Sequence, residues 1–199
     1  MRIEVVLGST RPGRVGDRVC RFVMDCASRV GGAEFTVFDL ADHPLPFFDE
    51  PLAPLADPGR RPSAAVRPWL EAMAAADGCV FLTPEYNHAP PAVLKNALDF
   101  LATEAAGKPA SIVSYSTSAH GGVSAGLHLR LVLSKAGMLP LPRSLPLAHA
   151  DRLLDPAGEL AERSDLARRV AEFVPASLRD LVDHARALKP LRPEAAPAR

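Results

Sequence analysis

Five short β-rich apolar runs, each followed by a segment of helical periodicity, constrain this chain more than any other feature. Residues 3 to 7, Ile-Glu-Val-Val-Leu, are bounded by Gly8 and read as a buried strand. Val15, Val19, Phe22, Val23, Cys26 and Val30 then recur at about 3.6 residues, and Gly31-Gly32 closes that helix. A second strand is expected over 34–40, a helix over 66–76, a third strand over 79–83, and a helix over 91–103 opened by Pro91. A fourth strand over 110–116, a helix over 123–136 and a fifth strand over 141–148 continue the pattern. Pro142 and Pro146 place the fifth strand at an edge, where a missing N–H costs the ladder little. Leu166, Val170, Phe173, Val174, Leu178, Leu181, Val182 and Ala185 form the stripe of a last helix, which Pro175 should kink or split. Strands that alternate with helices pair in parallel through right-handed crossovers. The expected fold is therefore a doubly wound α/β sheet with helices on both faces, and two strand orders satisfy the pattern.

In either order, ligands bind beyond the carboxyl ends of the strands, so loops 8–16, 84–91 and 116–122 should converge. The first, Gly8-Ser9-Thr10-Arg11-Pro12-Gly13-Arg14-Val15-Gly16, joins a strand to a helix, where unpaired N–H groups and the helix dipole favour an anion. Two hydroxyls and two guanidiniums add donors suited to a phosphomonoester. The competing reading is an ordinary glycine-rich turn with solvated arginines. A Walker A loop fails, because Arg14-Val15 stands where Lys-Ser/Thr is required, and a dinucleotide fingerprint fails at Thr10. The second loop, Thr83 to Pro91, holds three prolines and is stiff enough for its backbone and Asn87 to read the edge of a planar heterocycle, with Tyr86 offering a face or a hydroxyl. A capped helix start, with Asn87 near the N-cap, is compatible with that reading. Residues 41–62 carry six prolines and are expected to form a long surface loop beside the sheet.

The chain of 199 residues suits a single domain over 1–188, with 189–199 expected as a flexible tail. Cys20, Cys26 and Cys79 have neither disulfide nor zinc spacing, so no metal is assigned, a reducing compartment is expected, and Cys79 reads as an inert core residue. Basic and acidic residues balance, which argues against nucleic acid or an anionic membrane as a partner and leaves a small molecule. Met1-Arg2 leads straight into the first strand and no apolar run reaches the length of a membrane span, so a cytoplasmic protein is expected.

The first loop, Pro84-Glu85-Tyr86-Asn87 and the following Pro91-Ala92-Val93-Leu94-Lys95-Asn96-Ala97-Leu98-Asp99 together resemble the NADPH-dependent FMN reductase family, which includes quinone, azo-dye and chromate reductases. The resemblance spans about residues 2–150. It implies a flavodoxin-like sheet of order 2-1-3-4-5, FMN as cofactor, NADPH or NADH as reductant, and a homodimer or homotetramer. It places the FMN phosphate at Ser9, Arg11, Arg14, Val15 and Gly16, and the isoalloxazine along Pro84, Glu85, Tyr86 and Asn87. Ser116, Gly121 and Gly122 of the third loop are expected beside the flavin. Many members carry serine at the place of Arg14, which redistributes the phosphate contacts here. The implied activity passes electrons from the nicotinamide through FMN to a small acceptor such as a quinone, an azo compound or free flavin. No catalytic side chain is required for that chemistry, with His120 a candidate proton donor to the acceptor.

Two rival functions have specific discriminants. Gly122-Val123-Ser124-Ala125-Gly126 matches a nucleophile elbow, with Asp151 or Asp155 and then His184 in the appropriate order, but the serine does not leave its strand directly. A flavodoxin-like electron carrier would bind FMN without a nicotinamide site, although the chain lacks the acidity usual in such carriers. Arg14, Arg60 and Arg61 are the candidates to meet a nicotinamide 2′-phosphate, while Leu127, Leu131 and Val132 read as core or subunit interface.

Overall fold

Strands covered on both faces need apolar residues at nearly every position, and the central runs of this chain meet that demand. In the computed structural model, which describes residues 1–161 and 164–192, β3 (Gly78–Pro84) and β4 (Pro109–Tyr115) are buried throughout. With β1 (Arg2–Leu7), β2 (Glu34–Asp39) and β5 (Leu139–Leu147) they form one parallel sheet of order β2-β1-β3-β4-β5, the flavodoxin-like order. β5 lies at the edge, as its prolines require.

Alternation along the strands sends residues to two cores. Ile3, Val5 and Leu7 pack with α1 (Gly16–Ser28) and α6 (Asp165–Leu188), whereas Val6, Phe38 and Phe81 pack with α2 (Arg67–Ala75), α3 (Ala92–Asp99) and α4 (Val123–Lys135). Burial pushes the Cys79 thiol up to about 12, which leaves it protonated in the second core. Pro175 does not divide α6, which runs continuously for 24 residues because its stripe of Val170, Val174, Leu178 and Leu181 stays buried along one face. A four-residue helix α5 (Ala150–Leu153) has no counterpart in the sequence reading, being too short for periodicity to register. The described part of the expected tail, 189–192, turns back so that Arg192 and Lys189 reach the Asp77 carboxylate; residues 193–199 lie outside the described residues.

The segment 41–62 is tied down rather than merely long. Asn96 of α3 accepts from the Phe48 N–H at 2.8 Å and donates to the Pro46 carbonyl at 2.8 Å. Arg60 is drawn between Glu50 and Glu104 and donates to the Phe100 carbonyl at 2.7 Å, so it caps α3 and is not available to a nicotinamide phosphate. That contact, with the Trp69 indole on the Ala97 carbonyl at 2.6 Å, explains why α3 ends at Asp99 and not near 103.

Candidate functional site

The first and second loops meet at the carboxyl end of β1 and β3. Gly8 donates to the Leu82 carbonyl at 3.0 Å, and a Cβ there would lie 2.8 Å from Leu94, so only glycine lets the loop leave this close to α3. Ser9 is 1% exposed and its hydroxyl bonds the Tyr86 hydroxyl at 2.8 Å, tying loop one to loop two. Gly13 turns the chain at φ +67. α1 then begins at Gly16 without a side-chain cap, leaving its first N–H groups to whatever enters the cleft.

Arg14 does not face that cleft as a free donor. Its guanidinium forms a salt bridge with Asp39 at the end of β2, bonds Asp17 at 2.8 Å and donates to the Ser9 carbonyl. Hydrogen bonding to Asp39 drives its pKa further above the ordinary arginine range. Arg14 thus lines the cleft with its guanidinium engaged by the protein, and it ties the loop to β2. Arg11 is exposed, and among the described residues its guanidinium has no carboxylate or hydrogen-bond partner, so it is the guanidinium of this loop that stays open to a ligand.

Around an open cleft of about 340 Å³ the structure gathers Ser9, Arg11, Arg14 and Val15 from loop one, Pro84, Glu85 and Tyr86 from loop two, and Ser116 from loop three. Tyr115, absent from the sequence reading, also lines it. Its side chain is 3% exposed, and its hydroxyl is buried with no hydrogen-bond partner among the described residues. Burial raises its pKa far above that of free tyrosine, so it remains a neutral donor. The hydroxyl lies under the first turn of α1, where a Cβ on Gly16 would come within 2.4 Å of it. An orphaned buried donor, an uncapped helix start and an unclaimed guanidinium form a donor set fitted to a phosphomonoester.

Loop two closes on itself: Tyr86 and Ala89 exchange backbone bonds at 2.9 and 3.0 Å, with Asn87 at φ +50 and His88 at φ +64 between them. Two central residues at positive φ define a type I′ turn, so Asn87 occupies that turn instead of capping α3, whose N-cap is Pro91. Asn87 is exposed and does not line the cleft. The Glu85 carboxylate accepts from the Ala125 N–H at 3.2 Å and so caps α4, leaving its backbone to the cleft.

Loop three departs from expectation at its glycines. Gly121 (φ +60) and Gly122 (φ +76) are buried, with positions for Cβ about 3 Å from the backbone of β5 and β4 respectively, and neither lines the cleft. They allow the loop to lie on the sheet, while Ser116 and Thr117 reach the cleft. His120 faces a different cavity, described below. Ser124 lies 3.3 Å from His88 Nδ1, not beside His184, which bonds Asp180 of its own helix. Because the same His88 nitrogen also lies 3.4 Å from Glu85, no nucleophile–base–acid relay forms.

The strand order and the phosphate-suited cleft define a flavodoxin-like mononucleotide-binding domain. The profile of the NADPH-dependent FMN reductase family matches residues 1–152, and the chain belongs to that family. It is an FMN-dependent oxidoreductase that draws on a reduced nicotinamide. It is 34% identical over 178 residues to an NAD(P)H-dependent FMN reductase of Schizosaccharomyces pombe, covering 86% of this chain and 88% of that one. A quinone reductase of Pseudomonas putida is 28% identical over 169 residues, covering 81% and 86%. The solved structure of FerB, a flavoenzyme NAD(P)H:(acceptor) oxidoreductase from Paracoccus denitrificans, superposes with a TM-score of 0.74 at 22% identity, covering 94% of this chain and 98% of that one, and shares the fold.

Proposed function

We propose that the cleft between the first and second loops holds FMN and that the enzyme passes electrons from NADPH or NADH to a small acceptor such as a quinone, an azo compound or free flavin. The observation that carries the placement is the buried, unpartnered Tyr115 hydroxyl beneath the uncapped start of α1. Ser9, Arg11, Tyr115 and the N–H groups of Val15 and Gly16 would hold the phosphate, and the backbone of 84–86, stiffened by the type I′ turn that follows, would read the ring edge. Arg14 fixes the loop from behind through Asp39. When bound, FMN supplies the two-electron chemistry between nicotinamide and acceptor. The protein binds, orients and shields, and no side-chain acid–base pair is needed.

The family resemblance and one exposed stripe support a homodimer or homotetramer, and three free cysteines support a reducing, cytoplasmic compartment. Val123, Leu127 and Leu131 recur every four residues on α4, and Leu127 and Leu131 are 55% and 71% exposed, which a second copy would cover. No helix among the described residues is long and apolar enough to cross a membrane. The test is an absorbance spectrum with added FMN, followed by anaerobic NADPH. Bound flavin that bleaches supports the reading; bound flavin that NADPH leaves oxidised would make the protein a carrier, and failure to bind FMN would overturn it.

A further inference from the structure

A second cavity, larger than the first at about 680 Å³, opens between β5, the start of α4 and α6, and shares no lining residue with the cleft described above. Its floor is aliphatic: Leu145 and Leu147 of β5 face Leu166, Val170 and Val174 of α6. Its volume falls in the range of small-molecule pockets, about 300–1,000 Å³. The polar groups at its rim are cationic or neutral. Arg143 comes from the β5 wall and Arg169 from the α6 wall, with His120 and Ser144 beside them. Arg143 lies 5.9 Å over the Phe173 ring, which holds one guanidinium against the apolar lining. Among the described residues, neither arginine has a carboxylate within 4.0 Å, whereas Arg14 and Arg60 are each paired with two.

In a chain of zero net charge, two guanidiniums, one from β5 and one from α6, with no carboxylate partner among the described residues mark a local excess of positive potential at an apolar cavity. We infer that this cavity is a binding site for an apolar organic anion, an aromatic or branched aliphatic body bearing one carboxylate or sulfonate. The body would replace water on the aliphatic floor, and the anionic end would accept from Arg143 and Arg169. A nucleotide is the poorer match, because its sugar and base would leave polar groups unpaired against aliphatic walls. The inference sets this cavity apart from the cleft proposed for FMN, because the two are lined by different residues.

Isothermal titration with 2-naphthoate, against the neutral isostere 2-naphthamide and against adenosine 2′-monophosphate, tests it on the FMN-loaded protein and on the protein without FMN. The expected result is one equivalent of naphthoate bound in both forms, with the amide and the nucleotide at least about tenfold weaker, one charge-assisted contact. The Arg143→Ala/Arg169→Ala variant should lose naphthoate binding by at least about the same factor while its thermal midpoint and FMN affinity stay unchanged. The inference fails if FMN displaces naphthoate, if the amide or the nucleotide binds as well, if the double variant binds naphthoate unchanged, or if naphthoate does not bind.

Discussion

Replacing Tyr115 with phenylalanine should move two measurements in opposite directions. The hydroxyl it removes is buried without a partner, and leaving such a group unsatisfied costs about 1–3 kcal/mol. The ring itself is fully packed in the core with Leu7, Val19 and Leu147, so phenylalanine keeps the apolar contacts. The FMN-free variant should therefore be at least as stable as the parent. At about 2–4 °C per kcal/mol for a domain of this size, a gain of 1 kcal/mol is readable by calorimetry. FMN binding should weaken, because the bound state loses a hydrogen bond to a charged acceptor worth about 1.5–3 kcal/mol, or about 10- to 150-fold in Kd. Quenching of flavin fluorescence on titration gives that Kd without recourse to turnover. General damage to the fold would lower both stability and affinity. A variant that is destabilised yet binds FMN normally would refute the reasoning, showing that the hydroxyl serves the protein and not the ligand.

Gly16→Ala should destabilise the protein and weaken FMN binding, because its Cβ would sit 2.4 Å from the Tyr115 hydroxyl; adding Tyr115→Phe should restore part of the stability, a coupling that a double-mutant cycle by thermal melting reads directly. Asp39→Ala should cost about 1.5–3 kcal/mol in denaturant titrations, because the partly buried Arg14 keeps only Asp17 and the Ser9 carbonyl, and should loosen FMN binding; tighter binding would mean that the freed Arg14 contacts the phosphate after all. Burial would raise the Asp77 pKa, but the Arg2 N–H, Lys189 and Arg192 outweigh it and hold the carboxyl down to about 2. An unfolded aspartate near about 3.9 binds more protons in that interval, so stability should fall as pH drops from about 4 to 2, and Asp77→Asn should flatten that limb of the curve. If nicotinamide and acceptor use one site in turn, initial rates at several NADPH and quinone concentrations should give parallel lines, and intersecting lines would reject alternation.

The alternation of elements and the direction of the chemistry were legible in the residue order, although the pattern left two strand orders open. Period-2 and period-3.6 patterns are local, so the alternation of strands and helices, the edge placement of a Pro142- and Pro146-bearing β5 and the three convergent loops were all legible. The motif of the first loop pointed to a phosphate for the same reason, since an anion cradle at a strand–helix junction is contiguous in the chain, and FMN in particular came from the family resemblance. The rest depends on partners remote in sequence. Arg14 and Arg60 look alike as loop cations, yet Asp39 takes one and Glu50 with Glu104 takes the other. Gly121 and Gly122 read as flavin neighbours, but their backbone has to pass within contact distance of β4 and β5. Tyr115 gave no signal, because an aromatic residue ending a buried strand reads as core. That its hydroxyl lies unpartnered beneath Gly16 follows from packing β4 against the start of α1, a contact spanning about a hundred residues that no local pattern encodes.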